Sequence, residues 1–144
     1  MKIWSKDLTP EKLNQFAKNT IEEHLGIQIT EIGDDYIKAR MPVDQRTRQP
    51  FGILHGGASV VLAESLGSLA SYLCLKSEDQ IAVGLEINAN HLRAVSEGEV
   101  LGWVKPIHLG KQLHVWEIKI FNSQEELVCI SRLTVAILQK RAVK

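Results

Sequence analysis

Gln49-Pro50-Phe51-Gly52-Ile53-Leu54-His55-Gly56-Gly57 runs directly into Ala58-Ser59-Val60-Val61-Leu62-Ala63-Glu64-Ser65-Leu66-Gly67-Ser68-Leu69-Ala70. The second half of this stretch has helical periodicity: Leu62, Leu66, Leu69 and Leu73 recur at spacings of three and four and form one apolar stripe. Another face carries Gly57, Val60, Val61, Glu64, Gly67, Ser68 and Ser71, small residues with one carboxylate and two hydroxyls. Such a face suits close approach of a second backbone or a ligand better than it suits a core. Gly56 and Gly57 stand where the helix begins, so its first amide groups are open to something negative. No Lys or Arg lies three or four residues from Glu64 to pair with it along the helix. A lone carboxylate among Val61, Leu62, Ala63 and Leu66 is costly to bury. Glu64 is therefore the first candidate for chemistry, with a solvated surface glutamate as the plain alternative.

Upstream, Thr9-Pro10-Glu11 reads as a cap and first turn of a short helix through about Lys18, and a second helical piece spans about Thr20 to Leu25, ending at Gly26. Ile27, Ile29 and Ile32 mark a strand, Gly33-Asp34-Asp35 a turn, and Tyr36 to Met41 the returning strand, ended by Pro42. The polar run Asp44 to Gln49 is a loop leading to the central stretch. Downstream, strand patterns cover Ile81 to about Leu92, Glu99 to about Ile107, Leu113 to Phe121 and Leu127 to Leu138. Short polar connections join them, as antiparallel neighbours require. One long helix among roughly six strands, lying by its apolar stripe on the sheet, makes an α+β architecture.

The 144 residues are expected to form one domain, 1–144, large enough to bury a core. Lys plus Arg equal Asp plus Glu at 17 each, a balance that argues against nucleic acid or an anionic membrane as partner. Cys74 and Cys129 lie far apart in apolar runs and read as buried residues of a reducing compartment. Neither they nor the five histidines show metal-ligand spacing, so no metal is expected. Met1 to Asp7 has no signal-peptide core and no run approaches membrane-spanning length, so a soluble cytoplasmic protein is expected.

Gly52-Ile53-Leu54-His55-Gly56-Gly57 followed by Glu64 resembles the motif of the hot-dog fold acyl-CoA thioesterases, the PaaI-like thioesterase family. Met41-Pro42-Val43-Asp44 before it and Gly84-Leu85-Glu86-Ile87-Asn88-Ala89-Asn90-His91 after it extend the likeness over nearly the whole chain. Within the family these segments are similar to the branch that hydrolyses 1,4-dihydroxy-2-naphthoyl-CoA in menaquinone biosynthesis. A sister branch that clears aryl thioesters from siderophore carrier proteins is similar in the same places. The resemblance implies a curved antiparallel sheet of five to six strands around one central helix, no cofactor, and a homodimer with shared active sites that pairs into a homotetramer. It implies that the Gly56 amide holds the oxyanion, with His55 and Gln49 beside the thioester. Glu64 would then activate water or attack the carbonyl, Ser68 would hold the water, and His91 would belong to the site. Two other readings share the fold: a thioester dehydratase, and a non-enzymatic acyl-CoA sensor.

Two inferences rest on the residues themselves. Gly56 and Glu64 are eight residues apart, about 12 Å along a helix, whereas attack needs atoms ~3 Å apart. If both act on one thioester, they must come from two subunits related by a two-fold axis. Arg93, near the end of one strand, and His108 and Lys111, flanking the Leu109-Gly110 turn, are candidates with His91 for the phosphates of CoA.

Overall fold

The computed structural model describes residues 1–141. Helix α1 spans Pro10–Phe16, with the Thr9 hydroxyl accepting the Lys12 N–H at 3.3 Å and proline in the first turn. It stops before Lys18 because the Ala17 and Lys18 N–H groups bond the carbonyls three residues back and Asn19 turns the chain at φ 62°. Helix α2, Ile21–Leu25, ends at Gly26, whose φ of 73° is a left-handed C-cap. Asn14 clamps α1 onto the sheet: its side chain both donates to the Ile29 carbonyl (3.0 Å) and accepts the Ile29 N–H (2.8 Å).

Six strands follow the expected pattern: β1 Gln28–Ile32, β2 Ile37–Pro42, β3 Gln80–His91, β4 Glu99–Leu109, β5 Leu113–Phe121 and β6 Leu127–Gln139. They form one sheet in the order β1-β2-β4-β5-β6-β3, with every neighbour antiparallel. Helix α3, Gly56–Cys74, lies on one face of it. Ile37, Ala39, Met41, Val100, Val104 and Leu133 from the strands, and Leu62, Leu66 and Leu73 from α3, are almost wholly withdrawn from solvent. Each such leucine contributes about 1.5–3 kcal/mol by burial.

Two expectations about α3 need correction. Its 19 residues are long and apolar enough to cross a membrane, contrary to the sequence reading, but just over half of that span is packed inside the fold. The small-residue face, moreover, is not one open surface. Gly67 meets β6, where a Cβ would stand 2.5 Å from Leu133 Cδ2. Ser71 is fully buried: its hydroxyl oxygen accepts the Trp116 indole N–H at 2.7 Å and lies 3.1 Å from His114 Nδ1. The faces of the helix that β5 and β6 cover thus need small residues for close packing. Val61, Glu64, Ser65, Ser68 and Leu69 remain half-buried, and Leu69 turns towards α1 rather than into the core.

Strand β3 is an edge. It pairs with β6 along its length, its other side has no neighbour in the sheet among the described residues, and Ile81, Val83 and Leu85 are exposed. Leu85 falls outside the register, a bulge between Gly84 and Glu86. Seven residues separate Gly84 from His91, an odd number that would put them on opposite faces of a regular strand. The bulge reverses the alternation, and both face α3.

Burial pushes the His114 imidazole below its ordinary pKa, and nearby His108 adds to this, against a hydrogen bond with the Gly110 backbone. A depressed folded-state value means the unfolded chain takes up the proton first. Stability is complete above the ordinary histidine range and falls as the pH drops through the folded value. Urea denaturation of the native protein between pH 7.5 and 5 should show this loss, and His114→Asn should flatten it. Parallel curves would show that another group dominates.

Candidate active site

The loop before α3 is pinned from several sides. The buried Thr47 donates its hydroxyl to the Pro42 carbonyl (2.6 Å) and accepts the His55 N–H on its own carbonyl (2.8 Å). The Leu54 N–H bonds the Val95 carbonyl at 2.7 Å, and the Arg48 guanidinium donates to the Ser96 carbonyl. The chain is thereby delivered to His55, the N-cap of α3, whose Nδ1 accepts the Gly57 N–H at 2.7 Å. With Nδ1 so engaged, the neutral ring carries its proton on Nε2 and presents it away from the helix. The Ala58 and Ser59 N–H groups both reach the His55 carbonyl. Among the first four amides of α3, only that of Gly56 has no partner within the described residues, and it stands at the positive end of the helix dipole.

Gly56 lets His91 approach closely: a Cβ here would lie 2.9 Å from His91 Nε2 and the imidazole would have to shift. Gln49, Ile53, Gly56, Ser59, His91 and Arg93 line a common cleft of about 410 Å³. The Gln49 carboxamide oxygen accepts the Phe51 N–H, which leaves its NH₂ as donor. Four of the expected residues, Gln49, Gly56, His91 and Arg93, therefore converge, with His55 adjoining as the cap. Arg93 is also paired with Glu126 at 3.2 Å.

Glu64 and Ser68 do not line this cleft. Glu64 is half-buried and none of the six ion pairs among the described residues includes it. Its Oε1 lies over Gly84 of β3, 2.7 Å from where a Cβ would be. Gly84 is a residue the sequence reading missed. A glycine inside a strand often marks a close approach, and that signal was available. Ser68, one turn on from Glu64, opens onto a smaller crevice with Lys6, Tyr72, Ile81 and Ala82. His108 and Lys111 stand apart from the Gly56 cleft. Through the ladder Leu113–Ala136–Val83 their hairpin is level with the start of β3, whereas His91 sits at its far end opposite Cys129.

The model of the thioesterase superfamily matches residues 51–129, over half the chain. The 1,4-dihydroxy-2-naphthoyl-CoA hydrolase of Escherichia coli is 55% identical over 94% of this chain and 99% of its own length. The proofreading thioesterase EntH of Cronobacter turicensis is 52% identical over 94% and 98%. Among solved structures, a thioesterase from Haemophilus influenzae superposes with a TM-score of 0.92 at 52% identity, covering 95% of each chain. A mutant thioesterase from Pseudomonas aeruginosa gives 0.94 at 48%, covering 96% of this chain and 99% of its own.

The chain belongs to the thioesterase superfamily. It is a thioester hydrolase, and the non-enzymatic sensor is set aside. In this thioesterase, among the described residues, the Gly56 N–H has no hydrogen-bond partner, and Glu64 is a carboxylate without an ion pair at the solvent boundary. Both sit against a glycine or histidine of β3, so their positions answer to that strand. Gly84→Ala should push the Glu64 carboxylate aside and lower kcat about 10- to 100-fold, as misplacement near 1 Å does. The circular dichroism spectrum should be unchanged. An unaltered kcat would show either that Glu64 does not depend on its seat or that it takes no part in the reaction.

Proposed function

We propose that this thioesterase hydrolyses 1,4-dihydroxy-2-naphthoyl-CoA in menaquinone biosynthesis, in the cytoplasm, as a single-domain protein whose two active sites are each shared across a homodimer. The substrate follows the relative that is 55% identical over nearly the full length of both chains. The compartment fits two buried, unpaired cysteines. The shared site is supported by one observation above all: the Gly56 cleft and Glu64 occupy different places on one rigid helix.

The open edge of β3 supplies the contact. Antiparallel pairing with the same strand of a second copy sets the His91 end of one against the Gln80 end of the other. His91 lies against Gly56 and Gly84 against Glu64, so each Gly56 amide approaches the partner's Glu64. The same pairing brings His108 and Lys111 towards the partner's His91 and Arg93, and basic groups that one chain separates gather for the phosphates of CoA. Two such dimers associate as a homotetramer.

In this arrangement the Gly56 N–H, with the His55 Nε2–H and the Gln49 NH₂, receives the thioester oxygen as it gains negative charge. The partner's Glu64 takes a proton from water held by Ser68, or attacks the carbonyl carbon itself. In the first route the hydroxide so formed adds to the carbonyl carbon, the C–S bond breaks, and the thiolate leaves and is protonated, giving the free acid directly; in the second the thiolate leaves a mixed anhydride on Glu64, which water hydrolyses to the free acid and the regenerated carboxylate. The relatives named as proofreading thioesterases keep a second reading in view, the aryl thioester on a siderophore carrier protein that the resemblance implies.

Thiol release measured beside Glu64→Ala tests this. The wild type should turn over 1,4-dihydroxy-2-naphthoyl-CoA, and the variant should fall by about 100-fold or more while remaining folded. A higher kcat/KM on a dihydroxybenzoyl carrier protein than on the naphthoyl-CoA would favour proofreading instead.

A further inference from the structure

The crevice between α1, α2, β1 and α3 has no part in the reading so far. It has a volume of about 260 Å³, and its apolar walls are Leu13 and Phe16 from α1, Ile27 and Ile29 around β1, and Leu66 and Leu69 from α3. An apolar cavity of ~150 Å³ already admits benzene, so this one has room for an aryl group. Phe16 remains 68% exposed at its rim, apolar surface that folding leaves uncovered. Four polar residues break the lining: Asn14, whose side chain is taken up by the Ile29 backbone; Thr20, whose hydroxyl donates to the Ala17 carbonyl; and Glu22, in the first turn of α2, whose Oε1 accepts the Ser65 hydroxyl at 2.9 Å.

The crevice adjoins the catalytic candidates. Ser65 directly follows Glu64 and Leu69 directly follows Ser68, so at ~100° per residue they occupy the neighbouring flank of α3. Glu64 turns towards β3 and Ser65 towards α2, and all four, with Val61 between them, are half-buried on the outward side of the helix. A planar group whose carbonyl is held beside Glu64 can lie across this side with its far edge in the crevice.

We propose that the crevice is the acyl subsite of the thioesterase and that Glu22, steadied by Ser65, accepts a hydrogen bond from a hydroxyl on the far edge of an aryl acyl group. This rests on the thioesterase reading of the site and deepens it. A carboxylate is an acceptor with about four lone-pair sites, and one hydroxyl from Ser65 does not exhaust them. Burial raises the carboxyl of Glu22, but hydrogen bonds from Thr20, from its own backbone and from Ser65 outweigh that and hold it below its usual range. It therefore meets the substrate as an anion. A phenolic O–H is bound, a bare ring gains only the apolar walls, and an acyl group ending in a second carboxylate is repelled.

Two measurements on the intact protein test this. In the first, kcat/KM is compared for benzoyl-CoA, 3-hydroxybenzoyl-CoA and 4-hydroxybenzoyl-CoA with wild type, Glu22→Ala and Ser65→Ala. The wild type should favour at least one hydroxylated thioester about tenfold or more, the worth of a hydrogen bond to a charged acceptor. In Glu22→Ala the ratio should collapse towards one, and Ser65→Ala should fall between. In the second, 2-naphthol and 2-methoxynaphthalene are titrated against both proteins by fluorescence, with no turnover involved. Naphthol should bind the wild type about tenfold more tightly than Glu22→Ala, and the methyl ether should not discriminate. If the hydroxyl preference survives in Glu22→Ala, or all three thioesters fall by one factor, Glu22 merely holds α2 in place and the proposal fails. If the wild type hydrolyses none of them, the functional reading fails separately, and the naphthol titration still decides the crevice.

Discussion

The constraint on which the site depends is the rigidity of α3. At 1.5 Å per residue, the eight-residue offset from Gly56 to Glu64 holds the one first-turn amide without a partner and the carboxylate without an ion pair, among the described residues, about 12 Å apart. No side-chain rotation closes that gap to bonding distance around a single carbonyl. The rest of the chain is arranged about these two points. The loop pinned by Thr47, Arg48 and Leu54 aims His55 and Gly56 into a cleft, and β3 supports both ends, through His91 at the amide and Gly84 at the carboxylate.

What folding leaves uncompensated lies along the same edge and loop. Among the described residues the Gly56 N–H has no acceptor, Glu64 has no cation, and the outer edge of β3 has no strand beside it. Phe51, at the tip of the loop, is 91% exposed, and Ile81, Val83 and Leu85 stand out from the edge strand. Unpaired strand edges and exposed apolar side chains are features that proteins normally cover. In the proposed dimer, a second copy laid edge to edge along β3 would cover the strand and bring the two halves of the site together.

Much of this could be read from the sequence because the strongest signals are local. Thr9-Pro10, the glycines at the start of α3, the leucine repeat and Gly26 each act within a turn of chain, and the elements they announce are present. Glu64 was legible as a carboxylate with no helical partner. What escaped depends on packing between distant segments. Whether Gly67 and Ser71 face a ligand or a strand is decided by Leu133 and Trp116, more than 40 residues away. The bulge at Leu85 leaves no mark in an alternating apolar pattern, yet it determines that His91 faces the helix. The separation of His108 and Lys111 from His91 follows from strand order, which composition and spacing do not encode.

The claim most open to a direct test is that each site draws its amide side from one subunit and its carboxylate from the other. His55→Ala and Glu64→Ala proteins, each expected to be nearly inactive by itself, can be mixed one to one, unfolded and refolded together. A shared site predicts recovery of about a quarter of wild-type activity, since half the dimers are mixed and each mixed dimer holds one intact site. Separately refolded samples combined afterwards, without exchange, should stay inactive. A co-refolded mixture no more active than its two parents would contradict the shared site and place the whole reaction within one chain.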